Sequence, residues 1–274
     1  MSEQRLLVDG HVHFYPVFDA GTFLDAAGRN FAAGARNLGL SGVGTGVLCF
    51  TESAGAYVFH RFRDGAGRRE TLGRWQLLST GEPRSLLASA DDGSRMLLIA
   101  GRQIVTVDGL EVLALGAEHA IEDGGSLEGT VAEIREADAV PVIPWGFGKW
   151  WFGRGRRIAE FLASPDAKGV HLGDNGGRLR GAPAPRLFDL AHALGHEVLA
   201  GSDPLPFAGQ QTRAGSYGFL VRGEATGPRP AATLAATLRA LDHQPRTFGH
   251  LEGAGAFVTA QVGMQIRKHL RRAS

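Results

Sequence analysis

The chain has 274 residues, enough for one large core or two small ones, and its charges nearly cancel, with Lys+Arg 29 against Asp+Glu 28. That balance sets up no overall field to draw nucleic acid or an anionic membrane, so neither is expected as a partner. The single cysteine, Cys49, excludes an internal disulfide, and no apolar run reaches the roughly 18 residues of a membrane span. The opening MSEQRLLVDG lacks a signal-peptide pattern, so a cytoplasmic location is expected. A homo-oligomer is compatible with the composition.

In chain order, a short apolar run at residues 6–8 comes first and is followed at once by His11 and His13, in LLVDGHVHFYP. A second run at 46–50 reads as another buried parallel strand. From residue 56 to 115 the text changes to YVFHRFR, WQLLS, SLLASA, RMLLIA, RQIVTV and LEVLALG. Turn signals at Asp64-Gly65, Gly81-Glu82-Pro83, Asp91-Asp92-Gly93 and Asp108-Gly109 separate these runs. Short strands joined in this way predict an antiparallel β-meander inserted over residues 56–110, feeding a third strand at 111–115. It acts either as a cap on one side of the fold or as a lid over a site. Beyond it, strands at 140–144, 169–172 and 197–200 alternate with helices at 126–138, 156–163, 185–194 and 231–241. Pro185 and Pro230 suit first helical turns, where a missing N–H costs nothing. The rhythm predicts an α/β fold in a single domain over 1–274, a distorted TIM-like (β/α)7–8 barrel carrying the meander. An open doubly wound sheet fits the same rhythm.

Chemistry is concentrated at the ends of the apolar runs. With ten histidines, chance supplies about 0.4 His-x-His pairs in a chain of this length, so position has to discriminate. On a strand His11 and His13 point to one face, and at a strand's C-terminal end two neutral imidazoles can ligate one divalent ion. A polar strand end with satisfied hydrogen bonds is the alternative. Asp203, in EVLAGSDPLPF, offers a carboxylate for a metal or for a proton, or caps a turn before Pro204. Glu118 and His119, in VLALGAEHA, follow the third strand, and one of them completes a His/His/carboxylate set unless Glu118 only caps the next segment. Glycine-rich loops then offer Lys149 in WGFGKWWFGRGRR and Asp174, Asn175 and Arg178 in HLGDNGGRLRG. Backbone N–H groups and basic side chains there suit an anionic substrate, with Lys149 and Arg178 as its contacts. Arg156 and Arg157 read as a solvated helix start. Trp145, Phe147, Trp150 and Trp151 either stack on a ring or pack beneath the meander. No Gly-x-Gly-x-x-Gly turn follows the first strand and no Walker loop occurs, so dehydrogenase and kinase readings lack their motifs.

Taken together, HVH at 11–13, GAEHA around Glu118 and GSDPLPF around Asp203 resemble, in that order, the PHP superfamily of metal-dependent phosphoesterases. The resemblance implies a distorted barrel with a site of one to three divalent ions (Zn, Mn or Fe) and hydrolysis of a phosphate ester or another small anionic substrate. It implies His11, His13, Glu118 and Asp203 as ligands, His119 as a lesser candidate, and Asp203 as the catalytic carboxylate. Two departures stand out. Pro144 and Trp145 occupy the place of that family's His-Pro pair, and Pro204 and Leu205 follow the aspartate where x-His is usual. A reduced site with one ion, or a binding protein that has lost its metal, is therefore the alternative to a full site. HVHFYP with the later GSDP also resembles the amidohydrolase superfamily, which implies C–O or C–N hydrolysis, or decarboxylation. There Lys149 and His171 would stand in for a strand-end lysine and a histidine ligand.

Overall fold

A computed structural model of the protein describes residues 4–40, 44–223 and 227–273. The strands form two mixed sheets. The larger has the order β13-β12-β1-β2-β6-β5-β4-β3 and the smaller β11-β10-β9-β8-β7. In the larger sheet, β1 (Gln4–Val12), β2 (Thr45–Phe50) and β6 (Arg95–Ile99) are parallel neighbours. β12 (Tyr217–Gly223) returns antiparallel to β1 and pairs with β13 (Thr247–Gly249). β3 (Thr71–Leu72), β4 (Trp75–Ser79) and β5 (Ser85–Ala90) continue antiparallel from β6. In the smaller sheet β9 (Val140–Pro144), β10 (His171–Asn175) and β11 (Val198–Gly201) are parallel, whereas β8 (Glu111–Leu115) runs antiparallel to both β9 and β7 (Gly101–Val105).

This overturns the barrel expectation. The ladder is interrupted at two seams, each crossed by isolated bonds. At one, the Glu52 N–H donates to Gly101 O (3.1 Å) and the Gln103 N–H to Glu52 O (2.9 Å); at the other, the Asp203 N–H donates to His11 O (2.8 Å). The physical reason is strand direction. Antiparallel β8 and β12 replace the all-parallel rhythm that a (β/α) barrel requires.

Alternation divides the core. Leu6 and Val8 face a cluster shared by both sheets, with Val47, Cys49, Leu113, Val142, Leu199 and Phe219. Helix α6 (Pro230–Arg239) closes that cluster with Leu234 and Leu238. Leu7 faces the other way, towards α1 (Ala20–Asn37), whose Phe23, Leu24, Ala27 and Phe31 recur at helical spacing. Asp19 caps α1 by accepting the Thr22 N–H (2.8 Å). On the smaller sheet α3 (Leu127–Glu136), α4 (Gly153–Leu162) and α5 (Arg186–Ala193) pack with Val131, Ile134, Phe161 and Phe188. The last helix is α7 (Ala254–Ala273). Among the described residues no helix is long and apolar enough to cross a membrane.

Two local readings change. YVFHRFR is not a strand but the start of α2 (Val58–Gly67), with Val58, Phe59, Phe62 and Ala66 inward. The Glu52 carboxylate accepts the N–H groups of Val58 (2.6 Å) and Phe59 (2.9 Å), satisfying two donors that every helix start leaves open. In addition, the strand expected at 169–172 begins at His171 and continues through Asp174 and Asn175, which places both side chains on β10 itself.

Candidate metal centre

A β-bulge aims the histidines. β1 and β2 stay in register to Asp9↔Leu48 and resume at Val12↔Phe50, so β1 carries one extra residue. Val12 consequently lies with Leu7 in the cluster beneath α1, although five positions separate them. Strict alternation would put the two on opposite faces. The bulge reverses the faces beyond it, so His11 and His13 turn away from α1, towards the space between the sheets.

There the Nε2 atoms of His11 and His13 lie 3.1 Å apart, and Asp203 Oδ1 is 3.7 Å from each. Among the described residues these three form the cluster able to hold a metal ion, with all ligand atoms within 4.8 Å of one another. The histidines are only 5% and 6% exposed. Burial first, and then the neighbouring His11, depress the His13 pKa to about 4, so its imidazole is neutral and offers a lone pair at neutral pH. Burial pushes the Asp203 carboxyl up, but His11, His13, Lys149 and the Asn175 amide together hold it below the ordinary value. Two imidazoles and one carboxylate suit a divalent first-row ion, and three protein ligands leave room for water or substrate. The donor set therefore fits a divalent metal.

The surroundings fix these groups. Asn175 Nδ2 donates to Asp203 Oδ2, leaving Oδ1 towards the histidines. Asp203 adopts a left-handed φ of 46°, a conformation a non-glycine residue holds at a cost. Fully buried Asp9 accepts the Ser202 and Gly215 N–H groups (both 2.8 Å) and the His11 N–H (3.3 Å). Burial raises its carboxyl to about 7 against those bonds. Gly201 lets β11 pass behind the site: a Cβ there would lie 2.4 Å from His11 N and Cβ. Gly201→Ala is expected to cost about 2–3 kcal/mol in urea unfolding, because backbone has to move to relieve the overlap.

The other sequence candidates are distributed differently. Glu118 pairs with Arg63 of α2, and His119 is exposed. Both follow β8, whose antiparallel course carries its C-terminal end away from the edge where β9, β10 and β11 finish. His171 opens β10 at that far edge, with Nε2 3.1 Å from Leu238 O and Nδ1 3.4 Å from Glu197. Lys149 follows β9 on the near edge and pairs with Glu111. Arg178 donates to Asp174 through two bonds (2.9 and 2.8 Å), and the Tyr217 hydroxyl donates to the same carboxylate (2.7 Å). Trp150 packs edge-to-face on Phe188, while Phe147 and Trp151 are exposed.

Three residues near the site carry no sequence signal of their own: Asp9, Gln103 and Arg213. Gln103 Oε1 is 3.2 Å from His11 Nε2. The Arg213 guanidinium bonds Ser202 O (3.3 Å), pairs with Glu252 and is close enough to feel the charges of Asp203 and Asp9.

Neither a scan against protein-family models nor a search of curated proteins returns a match. Among solved structures the chain is similar to PsfC from Pseudomonas syringae PB-5123. The TM-score is 0.55 at 16% identity, over 97% of this chain and 99% of that one. This likeness establishes a shared overall fold. A more distant likeness is to the lesion-specific endonuclease PfuEndoQ from Pyrococcus furiosus. Its TM-score is 0.47 at 12% identity, over 88% of this chain and 57% of that one.

Proposed function

We propose that the protein is a metal-dependent hydrolase of the PHP type, acting on a phosphate ester or another small anionic substrate. The observation that carries the reading is the convergence of His11, His13 and Asp203 from two strand ends distant in sequence. A divalent ion held by these residues supplies Lewis-acid activation of water and of an ester oxygen. His11 and His13 would hold the ion through the Nε2 atoms that face each other, in the tautomer with the proton on Nδ1. Asp203 Oδ1 completes the set or accepts a proton from the attacking water, while Asn175 holds the other carboxylate oxygen. Lys149 and Arg213 place positive charge beside the cluster, where it favours an anionic substrate and the charge that develops on its oxygens. Arg178, bound to Asp174, steadies the end of β10 and so the position of Asn175.

The test is reconstitution with Zn, Mn or Fe, followed by elemental analysis and a panel of phosphate mono- and diesters run beside lactones and cyclic amides. Stoichiometric metal and phosphate-ester turnover are expected. Turnover of lactones or cyclic amides alone would move the reading to amidohydrolase chemistry, and neither metal nor turnover would overturn it. Because Asn175 acts through Asp203, Asn175→Ala is expected to weaken metal affinity about 10- to 100-fold, measured by competition with a chelator.

A further inference from the structure

The geometry points to Gln103 as a fourth, neutral oxygen donor to the ion held by His11, His13 and Asp203. The inference rests on the metal-site reading above. Gln103 sits in the middle of β7, between Arg102 and Ile104, both of which are buried. Ile104 belongs to the cluster beneath α3 and α4, so alternation turns Gln103 to the opposite face, towards the histidines. A polar side chain in the middle of a strand, on a face whose neighbours are apolar, calls for a partner. Its Oε1 lies 3.2 Å from His11 Nε2, the atom that itself faces His13 Nε2 at 3.1 Å and Asp203 Oδ1 at 3.7 Å. The amide oxygen thus borders the same small volume as the three donors. Its strand is held there by the Gln103 N–H, which donates to Glu52 O (2.9 Å) across the seam between the sheets.

Amide carbonyls are competent oxygen ligands for hard and borderline divalent ions. Their neutrality has a consequence. Two imidazoles, one carboxylate and one amide around a divalent ion leave the centre with a net charge of about +1, whereas a second carboxylate would cancel it. An amide at position 103 adds a donor while preserving attraction for an anionic substrate.

The experiment compares wild type, Gln103→Leu and Gln103→Glu. It measures Zn²⁺ affinity by chelator competition, the visible spectrum of the Co²⁺-loaded protein, and methylphosphonate affinity of the Zn²⁺-loaded protein. Gln103→Leu is expected to weaken Zn²⁺ binding about tenfold and to shift the Co²⁺ bands. Gln103→Glu is expected to tighten Zn²⁺ binding and to weaken methylphosphonate binding about tenfold. If Gln103→Leu proves unstable, Gln103→Asn keeps the amide but shortens its reach and is expected to match the leucine effects. Unchanged Zn²⁺ affinity and an unchanged Co²⁺ spectrum in Gln103→Leu or Gln103→Asn would overturn the inference and leave the three-residue site standing. A wild type that binds neither Zn²⁺ nor Co²⁺ would overturn both.

Discussion

His13→Ala is expected to strip the metal from the protein and to lower phosphate-ester hydrolysis by more than about 100-fold. Changes one step removed from a metal typically cost 10- to 100-fold, and loss of a direct donor from a three-residue set exceeds that. The cluster has no spare histidine or carboxylate among the described residues, because Glu118 and His171 lie elsewhere. Asp203→Asn should behave alike for another reason: the side chain keeps its shape but loses the charge that offsets a divalent ion. Glu118→Gln supplies the contrast. Its carboxylate pairs with Arg63, so metal content should stay at the wild-type level. Elemental analysis of the three variants after identical reconstitution decides the matter. Full metal in both His13→Ala and Asp203→Asn would remove these residues from the site, and loss of metal in Glu118→Gln would show that the ion is held elsewhere.

The contrast between Glu118 and Asp203 also marks how far the sequence could be read. Both carboxylates follow apolar runs of similar length and composition, and nothing in either run encodes its direction. β11 is parallel to β10, so Asp203 arrives at the edge that bears the site, while β8 is antiparallel to β9 and delivers Glu118 to the other. Strand direction is set by long-range pairing, which local patterns do not report. The same holds for the bulge in β1. That His11 and His13 share a face follows from period-two alternation, but which face they share depends on one extra residue between Asp9 and Val12. In YVFHRFR, β-branched and aromatic residues imitated a strand. The helix forms because Phe59 and Phe62 are inward on one side and Glu52, just after β2, accepts the first N–H groups. Asp9 and Gln103 were hidden in another way, as polar residues within strands whose partners come from β1, the segment after β11 and the segment before β12. The antiparallel turns were easier to read, since Asp92-Gly93 and Asp108-Gly109 place glycine at positive φ where the chain reverses.

Asp9→Ala should be the most destabilising single substitution near the site, at about 3–5 kcal/mol, with a fall of roughly 10 °C in Tm. The Asp9 side chain is fully buried and gathers the N–H groups of His11, Ser202 and Gly215 together with the Ser202 hydroxyl. It thereby ties β1 to the segment after β11 and to the segment before β12. Alanine would leave those donors buried without an acceptor, each at a cost of about 1–3 kcal/mol before relaxation or entry of water. Asp9→Asn keeps one acceptor oxygen and is expected to lose about half as much. The comparison is informative because a buried carboxylate is itself expensive, as the rise of its pKa to about 7 shows. If denaturant unfolding found Asp9→Asn as stable as wild type, a single neutral acceptor would suffice and the charge would be dispensable. If both variants lost stability while metal binding survived, the seam would be a scaffold for the fold alone. Loss of metal in Asp9→Asn at nearly full stability would instead mean that the bonds to His11 and Ser202 set the ligand geometry, because the same carboxylate reaches the backbone on both sides of the donor cluster.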